Sequence, residues 1–113
     1  MEMELVEEIH GRVVLVTARG RLDGSTSAAF SARMEKLTAA PQPRLVVDFS
    51  GVDFVSSAGL RVVLTLLKRV KAANGVLALC AVQAPVKEVL DITGFTGMLD
   101  LHQGRAEAMA ALA

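Results

Sequence analysis

Residues 44–64, RLVVDFSGVDFVSSAGLRVVL, decide the fold. LVVDF (45–49) is a continuous apolar run closed by an acid, the pattern of a strand covered on both faces. A polar turn is expected after it. Ser56 and Ser57 follow, and then Ala58-Gly59-Leu60 opens an amphipathic pattern. That order predicts strand, turn and helix, with the two serines at the helix start. A helix start carries free N–H groups and the positive end of the dipole, so it favours an anion. A serine there has two readings: a plain helix cap, or an acceptor for a phosphate.

Working outward, Ser57 to Ala73 reads as the longest helix, with Leu60, Val63, Leu64, Leu67 and Val70 as its apolar stripe. Asn74-Gly75 reads as its C-terminal cap. VLALCAV (76–82) is a second buried strand. Gln83-Ala84-Pro85 leads into a short helix, VKEVLDIT, with Val86, Val89, Leu90 and Ile92 inward and Gly94 at its end. MLDLH (98–102) reads as a last short strand and GRAEAMAALA as a terminal helix.

Upstream, 4–9 and 13–19 read as a hairpin turning at His10-Gly11-Arg12, with Gly20 ending the second strand. Asp23, Ser25 and Ser27 offer caps for a helix that places Ala29, Phe30, Met34 and Leu37 at helical spacing. Pro41 and Pro43 stop it. The order β-β-α-β-α-β-α-β-α predicts an α/β fold. A mostly parallel sheet opens with a β-hairpin and is layered against about four helices. The whole chain, 1–113, reads as one domain. Ligands and partners of such sheets meet the carboxyl ends of the strands, where the serines fall.

Composition narrows the function. Lys+Arg and Asp+Glu are both 12, there is no Trp or Tyr, and Phe is the sole aromatic. Neither charge nor stacking surface points to nucleic acid or an anionic membrane. The absence of net charge leaves little self-repulsion, so some self-association is compatible with it. No apolar stretch approaches the roughly 20 residues of a membrane span, and the acidic N-terminus does not resemble a signal peptide. A cytoplasmic location is the expectation. The lone Cys80, inside an apolar run, reads as a buried thiol. His10 and His102 have no spacing that ties them to Ser57, so no catalytic triad is expected. One Cys and two distant His do not make a metal site. No phosphate-binding G-x-x-x-x-G-K-[ST] loop is present. The chain reads as a binding module without cofactor or metal, not as an enzyme.

These residues together resemble a STAS domain, the fold of bacterial anti-sigma factor antagonists. The resemblance runs through Gly20–Asp23 (G-x-L-D), the stretch from Asp48 to Phe54, Ser57–Leu60 (S-x-G-L), the Asn74-Gly75 turn and VLDITGF at 89–95. The family's switch motif resembles D-S-S/T-G-L. Laid on this chain it puts the phosphorylatable serine on Ser57, with Ser56 as the alternative acceptor or else as the helix cap, Ser57 then standing in the first turn. Ser56 stands where the family usually has aspartate, and Ala58 where it has a second hydroxyl. The resemblance implies a partner surface of Asp23, Ser56, Ser57, Ala58, Gly59 and Leu60. Asp23 reads equally well as an N-cap of the first helix. Gly59 reads as a place where a partner's backbone comes close. Asp48 either caps a turn or faces the site, and Ser50 reads as turn chemistry.

The resemblance further implies a partner-switching mechanism. The unphosphorylated form would bind an anti-sigma serine kinase of GHKL type and release a sigma factor. Phosphorylation at Ser57 would end the binding, and a PP2C-type phosphatase would reset it. A phosphate adds about −1.5 to −2 charges and would act on the partner surface without melting the domain. No direct contact with nucleic acid is implied, and the chain would be a monomer or weak dimer. Two rivals stand beside this reading: a cytosolic STAS subunit of an ABC-type lipid transport system, and a small-molecule or nucleotide sensor.

Overall fold

The computed structural model describes residues 3–94 and 99–113. Its strands are β1 (Glu4–His10), β2 (Val13–Leu22), β3 (Arg44–Val55), β4 (Val76–Cys80) and β5 (Asp100–His102). Its helices are α1 (Ser27–Leu37), α2 (Ser57–Ala72), α3 (Ala84–Thr93) and α4 (Arg105–Leu112). The strands form one sheet in the order β1-β2-β3-β4-β5. β1 pairs antiparallel with β2, and every later pairing is parallel. The expected hairpin, strand–helix alternation and mostly parallel sheet are all present.

Alternation along the strands separates two layers. Val16 and Ala18, Leu45, Val47 and Phe49, and Leu77 and Leu79 face a front core closed by α1, α2 and α3. Val13 and Leu15, Val46, and Ala78 and Cys80 face the back, where Ala108 and Leu112 of α4 cover them. The central strands are thus buried on both faces, as their continuous apolar runs require. The front layer receives large side chains: Phe30, Met34, Leu60, Val63, Leu66, Leu67, Val70, Val86 and Leu90.

Several boundaries differ from the sequence reading. β2 does not end at Gly20 and β3 does not end at Phe49. Both continue, to Leu22 and Val55, and pair with each other beyond the last β3–β4 partners, Asp48 and Cys80. Register shifts between Thr17 and Arg19, and between Gly20 and Arg21, break the side-chain alternation there. The expected polar turn is therefore strand, and Val52 and Val55 drop into the front core. β4 stops at Cys80, because Ala81 turns left-handed at φ +56. His10 belongs to β1 rather than to the turn. Met98 and Phe95, placed by the sequence reading at a strand start and a helix end, lie outside the described residues. Ala29 and Ile92, expected inward, are exposed, whereas Leu66 joins the core.

α2 ends as the Asn74-Gly75 pair suggested. Asn74 is left-handed at φ +59; its N–H donates to Lys71 and that of Gly75 to Val70. These are the two bonds of a Schellman cap, with Asn in the place Gly usually holds.

Candidate functional site

The carboxyl ends of β2 and β3 carry the predicted residues. Leu22 pairs with Val55, and the Ser56 N–H donates to the Leu22 carbonyl at 2.9 Å. The chain then turns directly into α2. Ser56 is the N-cap, in extended conformation, and its hydroxyl accepts from the Gly59 N–H at 3.2 Å. The Leu60 N–H closes the first helical bond onto the Ser56 carbonyl at 2.9 Å. Ser57 is the first residue of α2 and is exposed. The first turn carries no acid, so nothing there offsets the positive end of the dipole.

The two serines therefore divide the roles that the sequence left open. Ser56 caps the helix, and Ser57 stands outward in the first turn. Ala58 is half-buried beside it, and Gly59 and Leu60 are buried. The close approach at Gly59 is intramolecular. A Cβ there would lie 2.4 Å from the Leu22 carbonyl oxygen and 2.9 Å from Leu22 Cγ. Gly59 thus lets α2 seat on the end of β2.

Asp23 follows β2 directly, at the same end of the sheet. Its carboxylate accepts from the Ser25 N–H at 2.9 Å and the Ser25 hydroxyl at 2.7 Å. The Ser25 hydroxyl first, and then its N–H, hold the Asp23 carboxyl below the usual carboxylate range. The N-cap of α1 is Thr26, with no side-chain cap bond. Asp23 contributes its carbonyl to that helix start, accepting from the Ser27 N–H at 2.9 Å, and its carboxylate takes from that start only a long 3.4 Å bond, from the Thr26 hydroxyl. The N-cap reading of Asp23 is therefore corrected: its side chain closes a local turn. Thr26 bridges the junction, donating to the Arg21 carbonyl at 2.7 Å and accepting from the Asp23 N–H at 2.9 Å.

Arg21, which the sequence did not single out, stands over the ring of Phe54 with 4.2 Å from Cζ to the ring centroid. Arg21 and Phe54 are register partners in β2 and β3. The guanidinium also reaches Asp23, with Nε 3.6 Å from Oδ2. A signal existed in the exposed aromatic three residues before Ser57, but the β2–β3 register was needed to find its partner.

Asp48 does not face this site; its carboxylate accepts from the N–H two residues on, a local bond inside β3. It is buried on the back face and accepts from Arg105 of α4, at 2.7 Å from Nη2 and 3.0 Å from Nε. Arg105 Nη2 also donates to the Thr17 hydroxyl at 3.0 Å. Burial pushes the Asp48 carboxyl up, but the Ser50 N–H and Arg105 outweigh it and hold it below the usual range. Ser50, read as turn chemistry, is a strand residue whose N–H donates to Asp48 at 2.8 Å. Beside them Cys80 is buried, and burial pushes its thiol up to about 11, far from a reactive thiolate. His10 and His102 lie in the outer strands β1 and β5, each beside an acid at 3.1 Å, whereas Ser57 follows the central β3. Among the described residues no cluster of metal-binding side chains occurs, and no helix is long and apolar enough to cross a membrane.

Comparison with known proteins agrees with this geometry. The family description of the STAS domain matches residues 4–108. A protein of Bordetella bronchiseptica named as the anti-sigma factor antagonist BtrV is 36% identical over 94 residues, covering 80% of this chain and 81% of its own. The anti-sigma F factor antagonist of Paenibacillus polymyxa is 27% identical over 113 residues, covering 99% and 97%. Among solved structures, an anti-sigma factor antagonist from Mycobacterium paratuberculosis superposes with a TM-score of 0.87 at 23% identity, covering 97% of this chain and 93% of that one.

Proposed function

This chain belongs to the STAS domain family, and from that premise we propose that it is an anti-sigma factor antagonist switched by phosphorylation of Ser57. In this reading the unphosphorylated chain binds an ATP-dependent anti-sigma kinase in the cytoplasm and so releases a sigma factor. The kinase transfers a phosphoryl group to the Ser57 hydroxyl and a phosphatase removes it. The chain itself acts by binding and performs no catalysis.

The observation that carries the reading is the division of labour between the serines. Because Ser56 supplies the cap, Ser57 is free of that duty and exposed at an acid-free helix start. A phosphate there would be stabilised by the helix dipole and first-turn N–H groups, so the fold tolerates it. The partner, meeting a new charge of about −1.5 to −2, would not. The relatives named as anti-sigma factor antagonists support the same class of partner.

The test is peptide mass spectrometry on protein purified from its own cells. Phosphate on the peptide at Ser57 is the expected result. Phosphate on Ser56 would move the acceptor onto the capping residue. Protein unmodified under every growth condition would sink the switch.

A further inference from the structure

We propose that Phe54 and Arg21 are the anchor by which the kinase grips this surface, an inference that rests on the reading of Ser57 above. Phe30 and Phe49 are each 1% exposed and fill the core, whereas Phe54 is 39% exposed. Among the described residues the other large exposed apolar side chains stand elsewhere: Val6 and Ile9 on β1, Val76 at the start of β4, and Ile92 in the last turn of α3. Phe54 alone among these belongs to the strand that delivers Ser57. Three residues of extended chain span at most about 11 Å. A partner patch of about 800 Å², the usual size, is wide enough to hold both Ser57 and Phe54. The ring is thus within reach of an enzyme that brings a phosphoryl donor to Ser57.

The ring is also pre-set for binding. Arg21 stacks on it, Asp23 reaches Arg21, and Ser25 holds the Asp23 carboxylate through two hydrogen bonds. Ordering these side chains before the encounter removes part of the entropy that binding otherwise costs. Aromatic and arginine side chains are the types that dominate interface energetics. The complementary partner surface is an apolar recess for the ring with a carboxylate at its rim for Arg21. The resemblance-based partner surface omitted both residues. Asp23, which it included, acquires a positioning role for Arg21.

The experiment places a photo-crosslinking benzoyl-phenylalanine at Phe54, at Ala58 or at Ile92 of the full chain in its own cells. Adducts are identified by mass spectrometry. The expected result is one ATP-dependent protein kinase captured from positions 54 and 58 and not from 92. Adding Ser57→Asp should deplete the adduct at 54. With that kinase purified, Phe54→Ser and Arg21→Gln should each weaken binding about tenfold or more, and Ile92→Ser less than about twofold. Unchanged melting temperatures would show that the variants fold. Kinase capture from 58 without capture from 54, or wild-type affinity of Phe54→Ser, would overturn the anchor and leave the Ser57 reading standing. No kinase adduct from 54 or 58 would overturn both.

Discussion

Asp48 with Arg105, and Asp23 with Arg21, bring the same two groups together in two settings. The arginine side chains are equally exposed, at 45% and 46%, but the aspartates are not, at 6% and 24%. The separations differ in step, 2.7 Å against 3.6 Å. Burial of the acid is thus what separates a structural pair from an adaptable one. A buried carboxylate needs its arginine, because its loss strands a charge away from water. A carboxylate that water reaches stays solvated if its arginine is lost, so the fold does not depend on that pair. One pair clamps α4 on the back face, where Ala108 and Leu112 alone supply the helix's buried residues. The other sits at the end of the sheet where β3 gives way to α2.

The largest way to break this contrast is Arg105→Met. A broken buried pair costs about 3–5 kcal/mol; with Arg105 half in solvent, about 2–3 kcal/mol is expected, read from urea unfolding. The same pair should show in acid. The folded-state pKa of Asp48 lies below the ordinary aspartate value, so its contribution is complete above that value and disappears as pH falls through the folded pKa. Acid unfolding below about pH 4 should be shallower in Asp48→Asn than in the wild type. Next comes Gly59→Ala, where overpacking against Leu22 costs about 1–3 kcal/mol and outweighs a helix-propensity gain of about 1 kcal/mol or less. Ser56→Ala should cost about 1 kcal/mol by loss of the cap, and Ser57→Ala less, which sharpens the division between the serines in thermal melts. Arg21→Gln is the smallest: no measurable change in the unfolding midpoint, in contrast to Arg105→Met. A comparable loss in both arginine variants would erase the distinction.

The order of elements was legible because each central strand is an unbroken apolar run and each front helix keeps its apolar spacing. Ser56 and Ser57 were legible as a helix start, and the structure apportions the cap between them. The extension of β3 was not, because the register shifts opposite Arg19 and Arg21 destroy the alternation a reader looks for. The pairing of Asp48 with Arg105 joins residues far apart in the chain, and nothing local in either segment announces it. Gly59 showed that the backbone must come close to something. The identity of that neighbour, the Leu22 carbonyl, depended on how α2 seats against β2. Arg21 over Phe54 likewise required the strand register.

Cys80 lies under α4 in the same small cluster as Ala108 and Leu112. Its thiol is therefore sealed by the element that the Asp48–Arg105 pair secures. A thiol reagent that reaches it must wait for that helix to lift, so the pace of labelling becomes a clock for the opening of the back face.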